Sequence, residues 1–305
     1  MLWNLYEHGV TQGAIGGWMS CPEKCRLGLV EGLRRPGSST PLDFGNITHM
    51  MLERGYKDPS QKKPAALRAM ADQWQKENQA YTDDAECMLS QVEGLVTAYH
   101  EYWEKDDKKK DWVSLEQTFD VPYTLPSGLV IRLRGKIDGV FRVGKKLYLL
   151  ETKTKGQVVS ALDEAVGFNL QVMFYLYAAR QLYGEFPAGV LYNILRRPQL
   201  RLGKAETQVG FAQRVEKDIL SRPDFYFKRM EIAFLKKEQV AWERELADIL
   251  EVFVNWAEGG PSWHNTGSCL EYGGCEFLHI CSGQPGAREA FTVKEHVYPE
   301  LEEES

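Results

Sequence analysis

Residues 129–135 alternate apolar and polar side chains, Leu129-Val130-Ile131-Arg132-Leu133-Arg134, and end on Gly135. A period of two with one wetted face predicts a half-buried strand. Ile137 to Val143 reads as a second strand, and Gly144-Lys145-Lys146 as the turn into a third. That third stretch, 146–152, is apolar until it ends in charge, which predicts a buried central strand. Helical spacing appears upstream. Ala65, Leu67, Met70 and Trp74 mark one helix, and Cys87, Leu89, Val92, Leu95 and Tyr99 mark another. Residues 1–60 read as short helices and 104–111 as a charged loop. Downstream, the pattern predicts a helix over 161–183, a strand over 189–195, helices over 206–220 and 238–256, and a strand near 225–233. Strands flanked by helices in this order predict an α/β sandwich around a mixed central β-sheet.

A chain of 305 residues, 43% hydrophobic and 26% charged, can bury a substantial core in one elaborated domain or two lobes. The net charge of −6 is opposite in sign to what a phosphate-binding surface needs. The charge is unevenly spread, however. Residues 196–229 hold nine basic and four acidic side chains, while Glu300-Leu301-Glu302-Glu303-Glu304 is acidic and expected to be disordered. The start, Met1-Leu2-Trp3-Asn4, has no basic region followed by an apolar run, and no stretch reaches membrane-spanning length. A cytoplasmic protein without membrane contact is expected. No Gly-x4-Gly-Lys-Ser/Thr pattern occurs, so a helicase motor is excluded.

The charged end of the third strand changes the picture. A buried strand ending Glu151-Thr152-Lys153 conflicts with its own hydrophobic pattern, and such conflicts mark functional sites. Glu151 and Lys153 are two apart and share a face of the strand. Asp138 opens the strand before it, and Gln171 and Tyr175, four apart, share a face of the helix after it. Two carboxylates and an amine are what metal-dependent phosphodiester cleavage needs. Oxygen ligands hold a divalent ion that offsets the anionic substrate, and the amine stabilises developing charge. His49 lies on an apolar stretch with Ile47, Met50, Met51 and Leu52, where a core role is the ordinary one. Six cysteines form a second constellation. Cys269, Cys275 and Cys281 crowd into thirteen residues with Gly273 and Gly274 between them. Cys21 is the best fourth ligand, with Cys25 as its alternative and Cys87 an ordinary core residue. Four thiolates suit structural zinc or an iron–sulfur cluster, and spacing does not choose between them.

These residues together resemble the PD-(D/E)XK nuclease superfamily in its RecB-like branch. Asp138 matches the motif aspartate, with Ile137 where the family proline stands. Glu151 and Lys153 match E-x-K, and Gln171 and Tyr175 match Q-x-x-x-Y. Gly45-Asn46-Ile47-Thr48-His49 with Leu52-Glu53 resembles the G-x-x-x-H-x-x-L-E element. The resemblance implies a restriction-endonuclease-like core. Its magnesium or manganese would be held by His49, Asp138, Glu151 and the Thr152 carbonyl. Lys153, Gln171 and Tyr175 would assist the catalytic carboxylates. A subset of the branch carries a 4Fe–4S cluster on one N-terminal cysteine in a Cys-Pro-x-Lys setting and three after the core. Cys21, Cys269, Cys275 and Cys281 match that arrangement. The implied organisation is a helical N-terminal region over 1–110, a nuclease core over 111–235, a cysteine module over 236–285 and an acidic tail over 286–305. The implied activity is that of an exonuclease on single-stranded DNA or duplex ends, from a bacterium or a phage. The alternative is a non-catalytic DNA-binding protein, or a subunit of a helicase–nuclease or CRISPR adaptation complex, with a protein partner or as a homo-oligomer. Arg196 and Arg197 follow the strand at 189–195 and are candidates for DNA-backbone contact, or else form a solvated turn.

Overall fold

The computed structural model describes residues 1–36, 40–157, 165–271 and 274–301. The elements that position the candidate site are, in chain order, α1 (Gln12–Ser20), β1 (Leu33–Arg34), α2 (Thr40–Lys57), α3 (Pro64–Glu77), α4 (Asp83–Tyr102), β2 (Asp111–Thr124), β3 (Val130–Val143) and β4 (Lys146–Lys155). They continue with α5 (Leu170–Tyr183), β5 (Gly189–Arg196), α6 (Gln208–Ser221), β6 (Phe227–Ala233), α7 (Lys236–Ala257) and β7 (Thr292–Val293). Five strands form one mixed sheet in the order β2-β3-β4-β5-β6. β4 and β5 run parallel, joined by the crossover that contains α5, and the other neighbours are antiparallel.

Helices cover both faces of this sheet, as the hydrophobic pattern predicts. On one face, Ile137, Val140, Leu149, Val190 and Ile194 pack against Phe174 of α5 and Leu246, Leu250 and Phe253 of α7, with Ile15 of α1 beside them. On the other, Leu195 and Phe227 join Phe44, Ile47 and Met51 of α2, Leu67 of α3, Tyr99 of α4 and Phe211 of α6. Both layers are apolar and continuous, so the sheet is buried where its strands read as apolar runs. Among the described residues no helix is long and apolar enough to cross a membrane.

Five local expectations change. The two strands predicted at 129–135 and 137–143 are one strand, β3. Gly135 does not break it; Gly135 pairs with Phe119 of β2, and a Cβ there would meet the Phe119 ring at 2.7 Å. The glycine is room for an aromatic neighbour. The His49 segment lies on an 18-residue helix, α2, rather than a short one. The helix predicted over 161–183 begins at Leu170, because the Asn169 side chain accepts from the Gln171 and Val172 N–H groups as its cap. Residues 161–164 lie outside the described residues. The charged run 104–111 is not a solvated loop. Asp107 and Lys110 are buried and paired at 2.9 Å, and Arg229 of β6 reaches Asp107 at 2.8 Å. The segment 286–305 is folded as far as Leu301: β7 pairs with β1, and Val297 and Tyr298 join the core. Residues 302–305 lie outside the described residues.

Candidate metal centre

The β3–β4 ladder stops at the Gly139–Leu150 pair, and the strands part beyond it. The Asp138 carboxylate occupies the opening. The Thr152 N–H, which has lost its place in the ladder, donates to Asp138 Oδ2 at 2.6 Å. Glu151 sits beside it, almost wholly buried, and its Oε2 has no hydrogen-bond partner. Its one close charge partner is the Lys153 amine, 2.5 Å from Oε1, on the same strand face. Burial first, and then the Asp138 charge, push the Glu151 carboxyl up to about 7, although Lys153 opposes them. Burial likewise holds Asp138 above its ordinary range against the pull of His49. Burial alone would lower the Lys153 amine, but Glu151 and Asp138 outweigh it and hold it above its usual value.

His49 reaches the same place from α2. At Gly45, one turn earlier, this helix lies against β4, where a Cβ would stand in ordinary contact with Thr154 Oγ1 at 3.4 Å. His49 Nδ1 lies 3.6 Å from Asp138 and 3.7 Å from Glu116. Burial opposes its protonation, but the two carboxylates prevail and raise the imidazole to about 9. Glu116 is the residue the sequence reading missed. It lies on β2 between the Leu115–Gly139 and Gln117–Ile137 pairs, hence across from Asp138. Its backbone is left-handed at φ 49°, rare for a non-glycine residue and concentrated at functional sites. Lys136 pairs with it at 3.0 Å. His49 and Lys136 together overcome burial and keep Glu116 below its ordinary value. One ligand atom from each of His49, Glu116 and Asp138 lies within 4.8 Å of the others, and among the described residues no other His, Cys, Asp or Glu trio does so. A register read along the hairpin from its Leu125–Leu129 turn would have found Glu116; composition and periodicity carry no sign of it.

Gln171 and Tyr175 face the same centre from α5, with Gln171 Nε2 donating to the Tyr175 hydroxyl at 3.2 Å. Burial and then the Glu151 charge hold the Tyr175 phenol well above its usual value, so it stays protonated. Arg196 and Arg197 stand at the far end of β5, beside Lys155 of β4. Neither is a free arm. The Arg196 guanidinium stacks 3.9 Å from the Phe225 ring, and that of Arg197 lies 5.6 Å from Phe44.

The four cysteines gather away from the His49, Glu116 and Asp138 trio, which includes none of them. Burial first, then Glu23, Cys275, Cys21 and Cys269, hold the Cys281 thiol above its ordinary value, so the N-terminal and C-terminal thiols are neighbours. The Asn265 N–H donates to Cys21 Sγ at 3.4 Å, and the Cys275 N–H donates to the Cys269 carbonyl at 2.8 Å. Gly273 lies outside the described residues. Gly274 takes φ 108°, a conformation that favours glycine. Cys25 is buried apart, with its thiol against the Ala14 carbonyl at 3.7 Å, and Cys87 lies in the helical core.

The residues fit a divalent cation. Two half-buried carboxylates, Glu116 and Asp138, converge with the His49 imidazole, and the buried Glu151 lies beside Asp138. In comparisons with known proteins, the family model for the PD-(D/E)XK nuclease superfamily matches residues 10–282. No curated protein matches the chain. Among solved structures, the one described as "Crystal structure of SSO0001" is similar with a TM-score of 0.30 and 14% identity, covering 70% of this chain and 74% of that one.

Proposed function

This chain belongs to the PD-(D/E)XK nuclease superfamily, and we propose that it is a divalent-metal-dependent DNA nuclease, an exonuclease acting on single strands or duplex ends. One observation carries the reading: a ligand atom from each of His49, Glu116 and Asp138 lies within 4.8 Å of the others, beside the buried Glu151, whose carboxyl is pushed up to about 7 by burial and then by the Asp138 charge. His49, Glu116, Asp138, Glu151 and the Thr152 carbonyl would hold magnesium or manganese. The ion, when bound, supplies charge neutralisation for the phosphodiester and acidity for an attacking water. Lys153 keeps its proton and presents positive charge where the phosphorane oxygens develop theirs. Tyr175, held by Gln171, stays a hydroxyl donor on the same side. Lys155, Arg196 and Arg197 extend positive charge along the strand ends, where a DNA backbone leaving the centre would run.

End-labelled single- and double-stranded DNA, incubated with purified protein and magnesium, manganese or chelator, tests the reading. The expected result is metal-dependent loss of label that Asp138→Ala or Lys153→Ala abolishes. Cleavage by the variants at the wild-type rate rejects it.

For the thiols, the reading is a structural 4Fe–4S cluster on Cys21, Cys269, Cys275 and Cys281. Structural zinc on the same four thiolates is the alternative occupant. Iron and sulfide analysis of anaerobically purified protein checks this, with four of each expected per chain for a cubane and none for zinc.

A further inference from the structure

Beside the metal centre, in the layer that α2 and α4 form on the sheet, lies a buried polar network that the nuclease residues do not include. Asn193 of β5 is fully buried and is the register partner of Thr152. Its amide nitrogen donates to the Tyr99 hydroxyl at 2.9 Å and to Thr152 Oγ1 at 3.4 Å. The Tyr99 hydroxyl also meets the Tyr56 hydroxyl at 2.6 Å and the Arg229 guanidinium at 2.5 Å. Arg229 is fixed in turn by Asp107 at 2.8 Å and Asp106 at 2.9 Å, and by the Trp103 ring at 4.1 Å.

We propose that this network, with Asn193 at its centre, is the positioning device of the metal centre. The inference rests on the nuclease reading above. The argument starts from where the ladder fails. Beyond Leu150, β4 has no backbone partner on β3, and its Thr152 peptide instead supports Asp138. A peptide released from one side of its ladder needs another restraint to hold a donor in place. Asn193 supplies it, because it grips the Thr152 side chain from the neighbouring strand, β5. The same network reaches the other ligand-bearing element. Tyr56 is two helical turns after His49 on α2, so its hydroxyl fixes the height and rotation of the helix that carries the imidazole. Asn193 thus restrains both the peptide that orients Asp138 and, through Tyr99 and Tyr56, the helix that delivers His49. The buried Arg229 and Asp107 side chains are paired with each other. Outer-shell partners of metal ligands act in this way, and their loss typically weakens metal binding by about 10- to 100-fold.

The test uses the full-length protein and two readouts. Asn193→Val and Thr152→Val each remove the tether, while Thr152→Ser keeps the hydroxyl. Mn2+ binding is measured by calorimetry. Hydrogen exchange of the Thr152 amide is measured on the metal-free protein. Asn193→Val and Thr152→Val are expected to weaken Mn2+ binding about tenfold and to speed Thr152 exchange at least as much. Thr152→Ser should remain close to wild type. The double variant should add little to either single one, since both break one contact. Folded Asn193→Val protein with wild-type Mn2+ affinity and slow Thr152 exchange overturns the proposal. Should Asn193→Val not fold, Tyr99→Phe deletes only a hydroxyl of the network, and unchanged values there are equally fatal. A wild-type protein that binds Mn2+ but leaves DNA intact removes the nuclease reading instead, and the exchange result then judges the network alone.

Discussion

Single residues differ sharply in how far the sequence discloses them. Glu151 and Lys153 share a strand face because they are two apart, and Gln171 and Tyr175 meet because they are four apart. Those relations need no tertiary information. Glu116 does, because its opposition to Asp138 depends on the register of a hairpin of two 14-residue strands and on a left-handed backbone. Its proposed ligand role predicts that Glu116→Gln, which keeps the shape and removes the charge, weakens Mn2+ binding about tenfold without unfolding the protein. Calorimetry checks this, and an unchanged affinity contradicts it. His100 supplies a second residue-scale prediction. Its ring is buried against Tyr56 and Tyr99, and neither nitrogen has a hydrogen-bond partner. Burial first, and then Lys62 and Arg229, push it down to about 3 against the pull of Asp107. The unfolded chain therefore takes up this proton first, near pH 6.5. Stability from the neutral ring is intact above that pH and is lost as pH falls towards 3. By pH 5 the loss is about 2 kcal/mol. In urea unfolding of metal-free protein, His100→Phe should flatten the difference between pH 7 and pH 5 by that amount. Equal slopes in variant and wild type would sink the assignment.

At the scale of elements, hydrophobic period reveals which segments are helix and strand, and it succeeds for α3, α4, α7, β4, β5 and β6. It fails where a residue's meaning depends on what lies across from it. Gly135 reads as punctuation along the chain, yet in the sheet it is the space that the Phe119 ring fills. The run at 104–111 reads as solvated because its buried partner, Arg229, is more than a hundred residues away. Gly94 belongs to the same class. It lies mid-helix in α4, where alanine would favour an isolated helix by about 1 kcal/mol. In the fold, α4 packs on α6 at this point, and an added Cβ would stand 2.5 Å from the Ala212 carbonyl oxygen and 2.9 Å from Val215. Backbone cannot yield as a flexible side chain does, so the clash exceeds the gain. Gly94→Ala is expected to destabilise the protein by about 1–3 kcal/mol in urea unfolding. A stabilised variant would show that the two helices have room to separate.

The whole molecule is closed by contacts between its ends, and none of them has a periodic signature in the sequence. Two-residue strands join Leu33 to Val293 and Arg34 to Thr292. Around that short ladder, Arg288 pairs with Glu31 at 2.6 Å, Lys294 donates to the Gly28 carbonyl at 3.2 Å, and the Tyr298 hydroxyl donates to that of Gly9 at 3.3 Å. Val297 and Tyr298 are buried in the same core as Trp3, Val10 and Ile15. This packing fixes the segment that carries Cys21 against the rest, whether or not the thiols are bridged by a cluster. The two closures can therefore be separated. Removal of residues 292–305 leaves all six cysteines but strips away two buried side chains and the β1 partner. Deletion of that much core costs about 3–5 kcal/mol, which corresponds to a fall in Tm of roughly 10 °C. The loosened part is the N-terminal segment, so limited proteolysis should cut first within residues 1–36 while fragments spanning β2 to α7 persist. If thiol bridging alone closed the molecule, the truncated protein would keep its Tm and its resistance. Cys275→Ser would then show the early N-terminal cuts instead.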